Sequence, residues 1–205
     1  PYGVQWTLFR QATRPDGEDT GWESPQIWMA HAAATSATSH RVAETFARGG
    51  IGQAGVVRSP FSAWIDDWSL TGDDSLARVD LAAHGDGFAY DLALSTGATP
   101  VLQGDYGFSV KSERGQASYY YSQPAYTVTG TLTLDGAAIP VTGTAWLDRE
   151  WSSQPLAAGQ QGWDWFALSL EDGARVMLYR MRQDEGAFLA GTWIDPDGTA
   201  HTLRP

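Results

Sequence analysis

An antiparallel all-β protein is what this sequence predicts, and three observations carry that prediction. Alternation sets in at once, with Tyr2, Val4, Trp6 and Leu8 on one side of a half-buried strand. Strand-like runs then recur at spacings of about 8–12 residues, the rhythm of a sandwich or barrel. Asp-Gly and Gly-Asp pairs punctuate them, and these dipeptides suit tight turns.

The elements follow in order. Arg14-Pro-Asp-Gly17 ends the first strand in a turn, and residues 24–34 make a second strand. Residues 35–50 predict a short helix closed by glycine, the one helical element expected. From Phe61 onward the pattern is strand, turn, strand, over residues 61–70, 77–83, 88–94, 106–111, 116–121, 126–134 and 139–149. The clearest hairpin joins residues 162–170 to 175–182 across Glu171-Asp-Gly-Ala174. A two-residue turn at Asp172-Gly173 would pair Leu168 with Met177, Phe166 with Tyr179, Trp165 with Arg180 and Trp163 with Arg182. That register makes one face an aromatic wall and stacks guanidinium groups beside indoles on the other. A last hairpin turns at Asp195-Pro-Asp-Gly198. An isolated hairpin is marginal in water, so the expectation is a chain that belongs to a larger protein.

Composition narrows the function classes. The 205 residues carry 24 acidic and 13 basic side chains, a net charge of −11, with a pI near 4.6. Such a surface repels phosphate backbones and anionic lipid heads, which argues against a nucleic-acid partner. No run approaches the roughly 18–20 apolar residues that span a bilayer. The absence of cysteine excludes disulfides, thiolate catalysis and Cys-ligated zinc. No H-E-x-x-H spacing points to a metal, and neither a G-x-S-x-G elbow nor a P-loop is present. The 10 Trp are the outlier. A buried indole removes about 150–250 Å² from water, so these rings line a core or a ligand cavity.

Three regions concentrate polar groups among aromatics. In Trp146-Leu-Asp-Arg-Glu-Trp151, strand alternation puts Trp146, Asp148 and Glu150 on one side and Leu147, Arg149 and Trp151 on the other. Two carboxyls so placed raise each other's pKa and can yield a general acid. The competing reading is neutralisation by Arg149, Arg180 or Arg182 in a strand-end network. His31 stands alone in an apolar strand, either a satisfied core residue or a proton carrier. Tyr119-Tyr-Tyr-Ser122, with Gln103-Gly104 and Lys111 upstream, puts phenol rings on both faces of its strand.

These residues resemble a known family. Tyr2-Gly-x-Gln5, Trp28-Met-Ala-His31-Ala, Gln103-Gly104, Tyr120-Tyr-Ser122, Ala145-Trp-Leu-Asp148, Glu150-Trp151, Gly162-Trp-Asp-Trp165 and Met177-Leu-Tyr179 look like the AttH / hydroxyneurosporene synthase (carotenoid 1,2-hydratase) family, in order along almost the whole chain. The resemblance implies two lipocalin-like antiparallel β-barrels: an N-terminal one over residues 1–145, and the beginning of a second over 146–205 whose remainder would be its partner. It also implies a secreted or periplasmic bacterial protein; many members carry only the label "predicted secreted hydrolase". Carotenoid members add water to a terminal C=C without a cofactor, and fungal relatives guide cyclisations. In the hydratase pattern an Asp-His-x-Trp stretch contributes to the site. Here it reads Asp148-Arg149-Glu150-Trp151, and Arg cannot act as the acid. Met181 stands where an Asp would follow Tyr179. Proton handling then falls to Asp148, Glu150 and His31.

The expectation is a barrel that binds a hydrophobic, isoprenoid- or polyketide-like molecule, lined by His31, Tyr120, Trp146, Trp151, Trp163, Trp165 and Tyr179. It either hydrates or cyclises that molecule or carries it unchanged. A purely structural barrel with a filled interior is the third reading.

Overall fold

The computed structural model describes residues 1–17 and 20–203, and among them every regular element is a strand. They group into two compact units: Pro1–Thr96 with Thr127–Thr144, and Gly97–Tyr126 with Ala145–Pro205.

The first unit begins with β1 (Gly3–Ala12), β2 (Gln26–Thr35) and β3 (His40–Arg48), a three-stranded antiparallel sheet in that order. The helix expected over residues 35–50 does not form. His40–Arg48 is extended and pairs along its whole length with β2, from Thr35 opposite His40 to Ile27 opposite Arg48. Its residues alternate, with Ala47 buried and Val42 and Phe46 exposed, and the ladder outweighs a weak local helical preference. The unit's second sheet holds β4 (Ala54–Val57), β5 (Phe61–Ile65), β6 (Trp68–Gly72), β7 (Arg78–Gly85) and β8 (Phe88–Ser95). The run expected over residues 61–70 is thus a hairpin, turning at Asp66-Asp67 between Ile65 and Trp68.

Two long strands pass through both units. β11 (Ala117–Leu134) pairs with β8 from Thr127 onward, and β12 (Ala137–Trp151) returns beside it. The sequence reading broke β11 into two strands, but the backbone runs on through Pro124. On the edge that meets β9 and then β8 the partners change there, so on that side the proline falls between two ladders. Asp135 and Gly136 close the β11–β12 hairpin, both with positive φ (50° and 80°), the two-residue turn that Asp-Gly favours. β1 to β3 face β5 and β7; their inward side chains Trp28, Ala30, Ile65 and Val79 are buried, as are Phe88 and Tyr90 of the adjoining β8.

In the second unit β9 (Val101–Leu102) and β10 (Phe108–Val110) pair with the start of β11. A four-stranded sheet follows, of β13 (Gln160–Ser169), β14 (Arg175–Gln183), β15 (Ala187–Ile194) and β16 (Ala200–Leu203). The β13–β14 register differs by one residue from the expected one. Trp163 pairs with Met181, Trp165 with Tyr179, Phe166 with Leu178 and Leu168 with Val176. The cause is the loop. Leu170 and Ala174 close it, and Glu171-Asp172-Gly173 form three residues with Gly173 alone at positive φ (89°). The shift places Trp163 and Trp165 beside Met181 and Tyr179 rather than opposite arginines, and Arg182 ion-pairs with Asp164 at 2.6 Å.

Candidate active site

The aromatic side chains of β14 organise the second unit. Tyr179, Met177 and Met181 lie on one face of the sheet, buried in a cluster with Tyr120 of β11, and Trp146, Phe188 and Ala190 pack against it. Directly paired residues share a face, so Trp163 and Trp165 extend this surface along β13. Trp165 is 42% exposed and Trp163 53%, so the surface runs from a buried end to an open one. Indole Nε1 of Trp165 donates to the Tyr120 hydroxyl at 3.1 Å.

At the buried end sits Asp148. Alternation along β12 turns Trp146, Asp148 and Glu150 to this side, as the extended backbone requires. Oδ1 of Asp148 accepts from Ser122 Oγ at 2.5 Å and from Trp146 Nε1 at 2.8 Å. Behind Ser122 the donors continue. Gln103 Nε2 donates to Ser122 Oγ at 2.8 Å, and Thr192 Oγ1 donates to Gln103 Oε1 at 2.5 Å. Gln103, Ser122 and Thr192 are all buried, so this is a satisfied internal chain whose bonds all point towards Asp148. The Tyr120 hydroxyl also hydrogen-bonds the Asp148 carboxyl.

Electrostatics follow from that enclosure. Burial pushes the Asp148 carboxyl above the ordinary carboxylate range; the bonds from Ser122, Trp146 and Tyr120 oppose the shift, and the nearby Glu150 charge adds to it. Burial likewise raises the phenols of Tyr120 and Tyr179, which remain protonated donors. The Tyr179 hydroxyl donates to the Val110 carbonyl.

Glu150 has its own partners. Lys111 Nζ lies 2.7 Å from its Oε1, and Ser118 Oγ donates to the same oxygen at 2.5 Å. Two of the arginines considered as neutralising groups have other partners. Arg149 Nη1 donates to the Tyr121 hydroxyl, and Arg182 holds Asp164. Lys111 and Gln103 were visible in sequence only as neighbours of a tyrosine run. Nothing in their spacing announced an ion pair or a relay.

Other candidates lie apart from this arrangement. Trp151 projects from the opposite face of β12, stacked on Tyr119 with centroids 5.9 Å apart and edge-on to Tyr121. His31 belongs to the first unit, where its ring meets Phe9 edge-on and its Nε2 lies 3.8 Å from Glu44. The first unit also shows two open cavities, of about 250 and 440 Å³, which include Trp28 with Trp64 and Ile27 with Phe46 in their walls.

Strands alone, arranged in curled antiparallel sheets, define an all-β protein of the lipocalin-like class. The chain belongs to the AttH-like family, whose sequence model matches residues 1–205. It is similar to the crystal structure of an AttH protein from Nitrosomonas europaea, with 32% identity and a TM-score of 0.85, over 100% of this chain and 63% of that one. Kievitone hydratase from Nectria haematococca shares the fold at 14% identity and a TM-score of 0.68, over 98% of this chain and 64% of that one. The chain therefore spans less than two thirds of the length of either structure. No curated protein matches it.

Proposed function

We propose that this protein protonates an apolar, electron-rich small molecule of isoprenoid or polyketide type, with Asp148 as the acid, and so carries out a cofactor-free hydration or cyclisation. One observation carries the reading: a carboxyl that burial inclines to keep its proton stands at the closed end of an aromatic surface. Oδ1 already accepts two hydrogen bonds, so the acid proton belongs on Oδ2. Delivered to one carbon of a C=C, that proton leaves a carbocation on the other. The indole faces of Trp146 and Trp165 are suited to stabilise it. Water then adds its oxygen to the cation, and the Asp148 carboxylate takes back the proton that the water loses. In a cyclisation an internal π bond attacks instead, and the carboxylate takes a proton from the carbon next to the new cation, which leaves a C=C. The likeness to a hydratase fold agrees with this chemistry.

A non-catalytic carrier is the second reading, favoured by Met181. It is buried in the aromatic cluster at the position where the hydratase pattern would put a carboxylate.

The test uses the full-length protein with a panel of acyclic isoprenoid alkenes in ¹⁸O-labelled water. Wild type should give a product heavier by one labelled water, and Asp148→Asn should lose about 10²–10⁴-fold in rate while still quenching tryptophan fluorescence on binding. Quenching without product in wild type selects the carrier. Undiminished turnover by Asp148→Asn ends the acid reading.

A further inference from the structure

Lys111 is a cation that the proposed proton transfer does not use, yet it sits inside the site. Its side chain is only 16% exposed, with Nζ 2.7 Å from Glu150 Oε1. The same Nζ lies 4.1 Å from the centre of the Tyr179 ring and 4.9 Å from that of Tyr120. Its backbone is fixed on both sides, by its N–H to the Gln116 carbonyl at 2.7 Å and by Gln160 Nε2 to its own carbonyl at 2.8 Å. The titratable groups that face it are Glu150 and Asp148 on β12, Tyr120 on β11 and Tyr179 on β14. Burial works against its charge, and the two carboxylates work to retain it.

A charge held this way among two rings and two carboxyls does more than fill space. We propose that Lys111 is a positioning residue of this site: it holds Glu150 as its counter-ion, clamps the Tyr120 and Tyr179 rings, and so limits how tightly Asp148 holds its proton. This rests on the reading of Asp148 as the acid. Without Lys111 the negative charge of Glu150 would face Asp148 unbalanced, and a second carboxylate would be harder to form. Without the charge of Glu150 the same carboxylate would form more easily.

The experiment follows the Asp148 side-chain carboxyl by ¹³C NMR across pH, with its resonance identified by its loss in Asp148→Asn; it needs no substrate. Lys111→Met should raise the Asp148 midpoint by about one pH unit, a tenfold gain in proton affinity. Glu150→Gln should lower it, and Lys111→Arg should restore the wild-type value. The opposite directions matter, because unfolding would move both variants towards the ordinary carboxylate range. A Lys111→Met midpoint equal to or below wild type, or an unmoved Glu150→Gln, overturns the proposal. A wild-type Asp148 that titrates in the ordinary range instead removes the acid reading, while the opposed shifts still report whether Lys111 governs the carboxyl.

Discussion

In the first unit the inward positions of β2, β5, β7 and β8 carry Trp28, Ala30, Ile65, Val79 and Phe88, whereas β11, β12 and β15 of the second turn Ser122, Asp148 and Thr192 inward. The backbone pattern is the same antiparallel alternation in both. A buried phenol shows the difference well. Tyr90 in the first unit hands its hydroxyl to a backbone carbonyl, that of Gln5, at 2.7 Å. Tyr120 in the second accepts from Trp165 and bonds a carboxyl. One interior is held together by apolar burial, and even its buried Trp28 Nε1 meets no hydrogen-bond partner among the described residues. The other strings polar side chains together across strands, so each changes the chemistry of the next. Strand alternation decides which residues meet, and only their identity decides whether the meeting is packing or chemistry.

The largest effect expected from this contrast is on the apolar side. Ile65 is fully buried, and Ile65→Ala removes methyl groups from a core with no polar network to reorganise. It should destabilise the protein by about 2–5 kcal/mol in urea titrations, with the Asp148 carboxyl titrating as before. An Asp148 midpoint that moves with Ile65→Ala would mean the two interiors are coupled, and the contrast would fail.

How far this was readable in the sequence depends on which rule applied. Period-two alternation located most of the strands and divided β12 correctly into an Asp148 face and a Trp151 face, because alternation is geometric and needs no partner. β3 was misjudged because residues 40–48 are indifferent locally and become a strand only by pairing with β2. Turn chemistry was ambiguous in a revealing way. Asp135-Gly136 and Asp172-Gly173 are the same dipeptide, yet the first makes a two-residue turn and the second ends a three-residue loop. A difference of one residue moved Trp165 from Arg180 to Tyr179. Asp148 and Glu150 could be singled out by proximity in the chain. Lys111, Gln103 and Thr192 reach them only through long-range pairing, which no local spacing encodes.

A smaller effect, with a definite sign, comes from pH. Asp148 binds its proton more tightly folded than unfolded, because its folded pKa is raised. The native state therefore holds the extra proton in the window between the unfolded carboxyl value and the folded one, so stability falls as pH rises through that window and then levels off. Asp148→Asn should flatten this slope in thermal melts. Asp67 of the first unit is opposite in sign, since its hydrogen bond with His84 at 2.8 Å lowers its pKa. Its contribution is present above the ordinary carboxylate value and lost as pH falls, and exposure keeps it small. Melts of Asp148→Asn that keep the wild-type pH slope would show that the second interior holds no retained proton.

The finest test touches a single bond in the relay. Trp165→Phe keeps an aromatic ring on the open part of the surface but removes the N–H that meets the Tyr120 hydroxyl. Tyr120 keeps its carboxyl partner, so its hydroxyl is not stranded, and the loss should be about 0.5–1.5 kcal/mol. The more informative readout is the Asp148 carboxyl. If Trp165 orients Tyr120 towards Asp148, freeing the phenol weakens a bond that favours the carboxylate, and the Asp148 midpoint should rise slightly. If Trp165 merely covers the ring, stability falls and the midpoint stays where it was. The second unit would then use its exposed indoles as it uses any apolar surface, and the chemical character assigned to its interior would end at Tyr120.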